Sequence, residues 1–398
     1  MKPSKVEFSP LHGLASLGAG GLSVSFFVWL MFLTPHPDSP VPTFESLALA
    51  KAIGDSNWIT LASVMVAIMA LAHYGLLAWW LRQGHKLPRD KRSAMFAGES
   101  HIFKMVAPLV LAMSVNAGFV VGLVFVPGLW SIKEYLFPFA LLAFLVLFVV
   151  ASQRWRKQQS LLKSNKLSYQ SKGLIELLAT FAFAMITVGF SASAAMSDTP
   201  WIHTTGVIMS FAGAAMTIWA AIRVLGDRLP SLGAHPIAAT ATGSLLMGVP
   251  ILTVLGIALY RVMMAGKHHF AVDLDQGIIA ATLGILFLAQ ALIFLMATPT
   301  VIRAGGWRTL VSEQPQGSSF SLVCPGVGLF VLGMFLVSKG LIPLGWLQGF
   351  SATIAYSVLA IVQALTLTLF AYLLINAMPG KHKRRELTIN DQRAAHTQ

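Results

Sequence analysis

The sequence predicts an all-α, polytopic membrane protein: ten transmembrane helices arranged as five hairpins around a central pore, with the odd-numbered helices on the inside. Three observations predict it. Hydrophobic residues make up 56% of the 398-residue chain and charged residues only 11%, and the mean hydropathy is +0.72, whereas a soluble domain carries about 25% charge. The apolar runs reach the ~20 residues that take a helix across the hydrocarbon, not the ~10-residue alternating segments of a transmembrane barrel. Lys and Arg gather in alternate loops, as they do on the cytoplasmic side of a membrane.

Breaks at charged or proline-rich stretches place the spans at about 12–34, 57–81, 101–127, 129–152, 173–196, 201–225, 237–263, 276–301, 321–341 and 351–378. The first contains Trp29 and is followed by no small-residue cleavage site, so it is expected to be a retained span, not a signal peptide. The 35–56 loop after it sets Lys51 against Asp38, Glu45 and Asp55. The second span is followed by Arg82, Lys86, Arg89, Lys91 and Arg92, the fourth by Arg154, Arg156, Lys157, Lys163, Lys166 and Lys172. Arg303 and Arg308 follow the eighth, and Lys381, Lys383, Arg384 and Arg385 the tenth. The 264–275 loop runs against this trend with Lys267, His268 and His269, but Asp273 and Asp275 offset them. The charges therefore put both termini in the cytoplasm. Residues 1–378 form a single ten-helix domain, and 379–398 are expected to be a basic, disordered cytoplasmic tail.

The odd spans share a second feature. Near their midpoints lie L-S-V-S (22–25), M-S-V-N (113–116), I-T-V-G (186–189) and L-T-V-L (252–255). This repeat of apolar residue, hydroxyl and valine makes Ser23, Ser114, Asn116, Thr187 and Thr253 the candidate pore-lining residues. The ninth span breaks the pattern, A-S-V at 62–64 matches it outside the odd set, and hydroxyls in membrane helices also bond back to the backbone or permit close packing. Helix breakers concentrate in the same spans: Gly18, Gly20 and Gly21, then Pro108 and Gly118, Pro250, and Pro325 with Gly326. Kinked helices belong where neighbours or a lumen satisfy the freed carbonyls. Pro138 and Pro299 fall in even spans, near their ends, where proline costs least.

Five hairpins, kinked odd helices with mid-membrane hydroxyls, and Phe330 and Phe335 on the ninth span resemble the TehA-like superfamily of tellurite-resistance and C4-dicarboxylate transporters, bacterial sulfite exporters and plant slow-type anion channels. The stretches C-P-G-V-G (324–328) and G-L-S-V-S-F-F (21–27) are similar to the TsoY branch, which includes selenoproteins. That resemblance makes Cys324 a candidate for the position of selenocysteine in some relatives. The superfamily implies a pore through the inner helices, a phenylalanine gate on the ninth and, in many members, a homotrimer; the location expected for this chain is a bacterial inner membrane. Phe330 is the first choice for the gate, being nearer the middle of the span, and Phe335 the second.

A lumen of hydroxyls and apolar rings has no strong charge, so a partly dehydrated anion passes without being trapped. Selectivity is then expected from the cytoplasmic mouth, where helix N-termini are partly positive and Lys104 and Lys172 add to the field. Glu176 opposes it, and interfacial snorkelling is the alternative role of the two lysines. Cys324 lies one turn inside the ninth span, before a proline suited to a first helical turn; a positive terminus lowers a thiol's pKa, the alternative being a small buried hydrophobe. A single cysteine excludes an internal disulfide and a Cys-based metal centre within one chain.

The remaining classes fit less well. His12, His101 and His203 lie near helix starts and only His73 well inside a span, so no di-haem spacing arises. No nucleotide-binding loop, nucleophile elbow or zinc-protease helix is present. No cofactor and no metal is expected, His268-His269 reading as a solvated turn. The net charge of +13 serves topology, so the expected partners are a small anionic substrate and membrane lipid, not nucleic acid. The function expected is a transporter or channel for sulfite, another sulfur or selenium oxyanion, or a C4-dicarboxylate. Near absence of intramembrane carboxylates favours a passive path. The alternative is a membrane-embedded redox protein using Cys324.

Overall fold

The structure, a computed structural model, describes residues 8–54, 56–164, 173–232, 236–312 and 315–377. Lys172 and the 379–398 tail lie outside the described residues. Among those described, ten helices are long and apolar enough to cross a membrane: α1 (Pro10–Leu33), α2 (Ser56–Lys86), α3 (Ser100–Phe125), α4 (Leu129–Lys163), α5 (Leu177–Met196), α6 (Pro200–Arg228), α7 (Ala239–His269), α8 (Gln276–Arg303), α9 (Gly317–Leu341) and α10 (Phe350–Ala377). The chain is an all-α, multi-pass membrane protein. Helices α2, α4 and α7 overrun the expected ends at 81, 152 and 263, because the apolar signal stops where a helix leaves the hydrocarbon while its backbone hydrogen bonding continues.

Each odd helix packs against the even helix that follows it, giving five hairpins. The odd helices also touch one another in sequence order, α1 to α3 to α5 to α7 to α9, and the ring closes between α9 and α1. Burial sorts the two sets: 50–94% of the most apolar stretch of each odd helix is inside the molecule, against 22–39% for the even ones. Helix α5, at 94%, is almost wholly enclosed. The even helices present Leu71, Phe139, Ile222, Ile285 and Leu365 outward, which suits lipid contact.

The prolines of the odd helices lie where a 3-10 run passes into α-helix. Pro108, Pro250 and Pro325 are each the third residue of an α-helical segment, Val106–Phe125, Gly248–His269 and Val323–Phe335. Each segment follows a tighter 3-10 run, Gly98–Met105, Ala239–Leu246 and Gly317–Leu322. In a first turn the missing N–H has no intrahelical acceptor to lose. Gly20 and Gly326 serve close approach: a Cβ at Gly20 would lie 2.8 Å from His73 Nδ1, and one at Gly326 2.0 Å from Thr366 Oγ1.

Two short helices occupy the loops between spans, Phe44–Ile53 and Arg89–Met95. Thr43 caps the first through a reciprocal pair with Ser46. Glu45 accepts a hydrogen bond from the Gly128 N–H at 2.6 Å, tying this helix to the turn between α3 and α4.

Candidate functional site

The ring encloses a cavity of ≈160 Å³ whose wall draws on all five odd helices, with Phe137 and Phe144 from α4 and Val41 from the loop after α1. Phe144 enters over Gly189, where a Cβ would come within 2.2 Å of its ring.

The recurring triplet faces the cavity with its valine. Val24, Val115, Val188 and Val254 all line the wall, joined from α9 by Val327. Neighbouring positions on a helix point about 100° apart, so a valine aimed at the axis leaves the preceding hydroxyl aimed sideways. Ser23 Oγ donates to the Val66 carbonyl of α2 at 3.0 Å, and Thr187 Oγ1 donates back to Phe183 O at 2.8 Å. Ser114 Oγ donates to Val110 O at 2.9 Å and lies 2.9 Å from His73 Nε2. Ser23, Ser114 and Thr187 therefore bind other helices or their own backbone and do not line the cavity. Thr253 does line it, with its hydroxyl 2.9 Å from Gln290 Oε1 of α8. Asn116 also lines it, its Nδ2 3.7 Å from Met185 Sδ.

Neither candidate gate residue reaches the wall. Phe330 is fully buried and packs on Trp29, ring centroids 5.4 Å apart. Phe335 meets Phe32 edge-on at 5.0 Å and Tyr260 at 5.5 Å. The cavity face of α9 is the helical stripe Cys324, Val327, Gly328 and Val331. Phe330 lies about 100° off that stripe, and Phe335 a turn beyond its end, beside the π-helical turn Leu336–Leu341.

Cys324 stands in the first turn of the Val323–Phe335 segment and faces the cavity, 8% exposed. Pro250 lines the cavity, whereas Pro108 and Pro325 do not. Lys104 is half-buried with its ammonium 5.6 Å from the centroid of the Phe96 ring, and its carbonyl accepts from Arg154. It is no part of the wall.

The residue that sequence reasoning missed is Arg261. It sits eight residues before the end of α7 at His269 and lines the cavity. Its Nη1 donates to the Val188 carbonyl at 3.0 Å, near the middle of α5. Helical side chains lean towards the N-terminus, and the N-terminus of α7 is on the face bearing the chain ends, so Arg261 leans to mid-membrane. Among the described residues it has no ion-pair partner. Arg261 lies inside the expected span 237–263, two residues before its end, and the sequence reading gave it no role.

Elsewhere two buried polar side chains tie helices together. His73, fully buried, has Nδ1 2.8 Å from Ser16 O and Nε2 2.9 Å from Ser114 Oγ, lacing α1, α2 and α3 together. Gln363 of α10 accepts from Trp29 Nε1 at 2.6 Å and donates to Ser25 Oγ at 2.8 Å. Among the described residues no group of three metal-ligating side chains occurs. No family model, curated protein or solved structure matches the chain. A membrane-embedded, largely apolar chamber with one guanidinium in its wall has the chemistry to hold an anion.

Proposed function

We propose that the chain belongs to the TehA-like superfamily, in its TsoY branch, and moves a small anion through the central cavity across a bacterial inner membrane, with both termini cytoplasmic. The candidate substrates are sulfite, another sulfur or selenium oxyanion, or a C4-dicarboxylate. One observation carries the reading: Arg261 presents its guanidinium to a cavity enclosed by a closed ring of five helices. A cation in the hydrocarbon costs several kcal/mol and marks ligand or ion pathways when it faces a cavity. An anion entering that cavity supplies the missing counter-charge. The valines around the wall form an apolar girdle, which blocks flow by dewetting until it widens. Homotrimer assembly belongs to the same proposal.

The test is anion uptake into proteoliposomes, scanned over sulfite, selenite and succinate with and without an imposed potential. Uptake above protein-free liposomes for at least one is expected; none for any overturns the reading. A second reading, a membrane redox protein, draws on Cys324 facing the same cavity, and a haem or flavin band in the purified protein would favour it.

A further inference from the structure

We infer that the cavity is a binding site for a singly charged oxyanion, held by the forked N–H edge of Arg261 with the Asn116 carboxamide as a second donor. The inference rests on the proposed anion pathway and narrows its substrate. Four polar side chains in the wall bear on it. Ser193 is committed to Phe190 O at 2.9 Å, and Thr253 to Val249 O at 3.0 Å or Gln290 Oε1 at 2.9 Å. Arg261 has five N–H donors and is anchored by a hydrogen bond to Val188 O, an acceptor it shares with Ser191 Oγ at 2.8 Å. Asn116 Nδ2 has only the 3.7 Å contact to Met185 Sδ. Met185 is one turn before Val188 on α5, so the carboxamide lies within about a turn of the level where the guanidinium is anchored.

Charge and shape both select. The wall supplies one positive charge, and the self-energy of an ion in an apolar medium grows with the square of its charge. A dianion thus loses about four times the hydration energy of a monoanion of similar size while meeting the same single cation. A planar fork matches two oxygens of one anion and is largely wasted on a spherical halide, for which an ammonium serves as well. The volume, ≈160 Å³, compares with the ~150 Å³ cavity that accepts benzene, so an oxyanion of four or five heavy atoms fits. For sulfite the bound form is the singly protonated anion.

The experiment measures binding and flux separately. Thermal stabilisation of the purified wild-type protein is titrated with nitrate, formate, chloride, sulfate and succinate, alongside Arg261→Lys and Asn116→Leu. Wild type is expected to bind nitrate and formate roughly tenfold more tightly than chloride, and sulfate and succinate more weakly still. Arg261→Lys keeps the charge and loses the fork, so chloride affinity stays and the oxyanion preference collapses. Asn116→Leu reduces that preference with the charge untouched. The inference is overturned if sulfate or succinate binds as tightly as nitrate, or if Arg261→Lys keeps the oxyanion-to-chloride ratio. Selective binding without flux leaves it standing while the transport reading fails; flux of succinate equal to that of formate does the reverse.

Discussion

His73 and Arg261 are both basic side chains carried deep among the helices, and their surroundings differ in one respect. His73 is fully buried, turned away from the cavity, with each ring nitrogen within 3.0 Å of an oxygen of a neighbouring helix. Arg261 faces the cavity and is anchored through a single hydrogen bond. A buried polar group with all its partners supplied by the protein is a structural strap. One left with donors to spare, in a cavity, is finished by something the chain does not contain. Substitutions can break or sharpen that contrast.

The largest effect belongs to Arg261. Arg261→Gln removes the cavity's charge, and anion flux is expected to fall by about 100-fold, equivalent to ~2.7 kcal/mol of lost binding. Stability is expected to hold or rise, because an unpaired cation is removed from a low-dielectric site. Unchanged flux with a lowered melting temperature would reverse the two roles.

His73→Ala is the mirror experiment. It removes the imidazole contacts to Ser16 O and Ser114 Oγ that join α1, α2 and α3, and a loss of about 1–3 kcal/mol is expected in denaturant unfolding. Flux per folded molecule should stay within twofold. Gly20→Ala attacks the same strap, since its Cβ would meet His73 Nδ1 at 2.8 Å and Met113 Cγ at 2.9 Å, and it should cost a similar ~1–3 kcal/mol. A flux defect in His73→Ala at full stability would make the histidine part of the pathway.

A smaller effect is expected at the girdle. Val188→Thr nearly preserves volume and places a hydroxyl where the wall is apolar, which favours wetting. Basal flux should rise several-fold, about 1 kcal/mol. Phe330→Ala, the natural target if that ring were the gate, should lower stability by ~3–5 kcal/mol without raising conductance, as Phe330 packs against Trp29 behind the wall. No rise with Val188→Thr, but one with Phe330→Ala, would return the gate to α9.

These outcomes follow the line between what the sequence displays and what it hides. Ten spans are legible because a bilayer forces every helix to declare itself in apolar residues. The inner position of the odd helices shows in their glycines, prolines and hydroxyls. Which face looks inward does not show: Ser23 and Val24 are adjacent, and a sequence gives no sign of whether the lumen is lined by hydroxyls or by methyl groups. Arg261 was overlooked because one cation near the end of the expected span 237–263 gives no sign of whether it faces lipid, a neighbouring helix or a lumen. Phe330 was chosen by depth alone, when the decisive quantity was its angle from the stripe Cys324, Val327, Gly328 and Val331.

The smallest expected effect concerns the loop after α1, which contributes Val41 to the cavity wall. The helix Phe44–Ile53 just after Val41 is held by Glu45 on the Gly128 N–H. That hydrogen bond, with lesser help from Glu45's own N–H and Thr43, lowers the carboxyl's pKa below the ordinary glutamate value. A depressed folded-state pKa means the stabilisation is present above the ordinary glutamate range and is lost as pH falls through the lowered value. Glu45 is exposed, so solvent screens the effect. Global stability should barely register it, whereas the protection of amides in residues 43–53, measured against the intrinsic exchange rate at each pH, should fall on acidification through that window. Glu45→Gln accepts more weakly and does not titrate, so exchange there should be faster at neutral pH and should lose its acid-dependent step. If the step persists in Glu45→Gln, another group governs the loop. If the step vanishes and flux at low pH loses its own acid dependence with it, the loop over Val41 is the cavity's second barrier, separate from the valines and from Arg261.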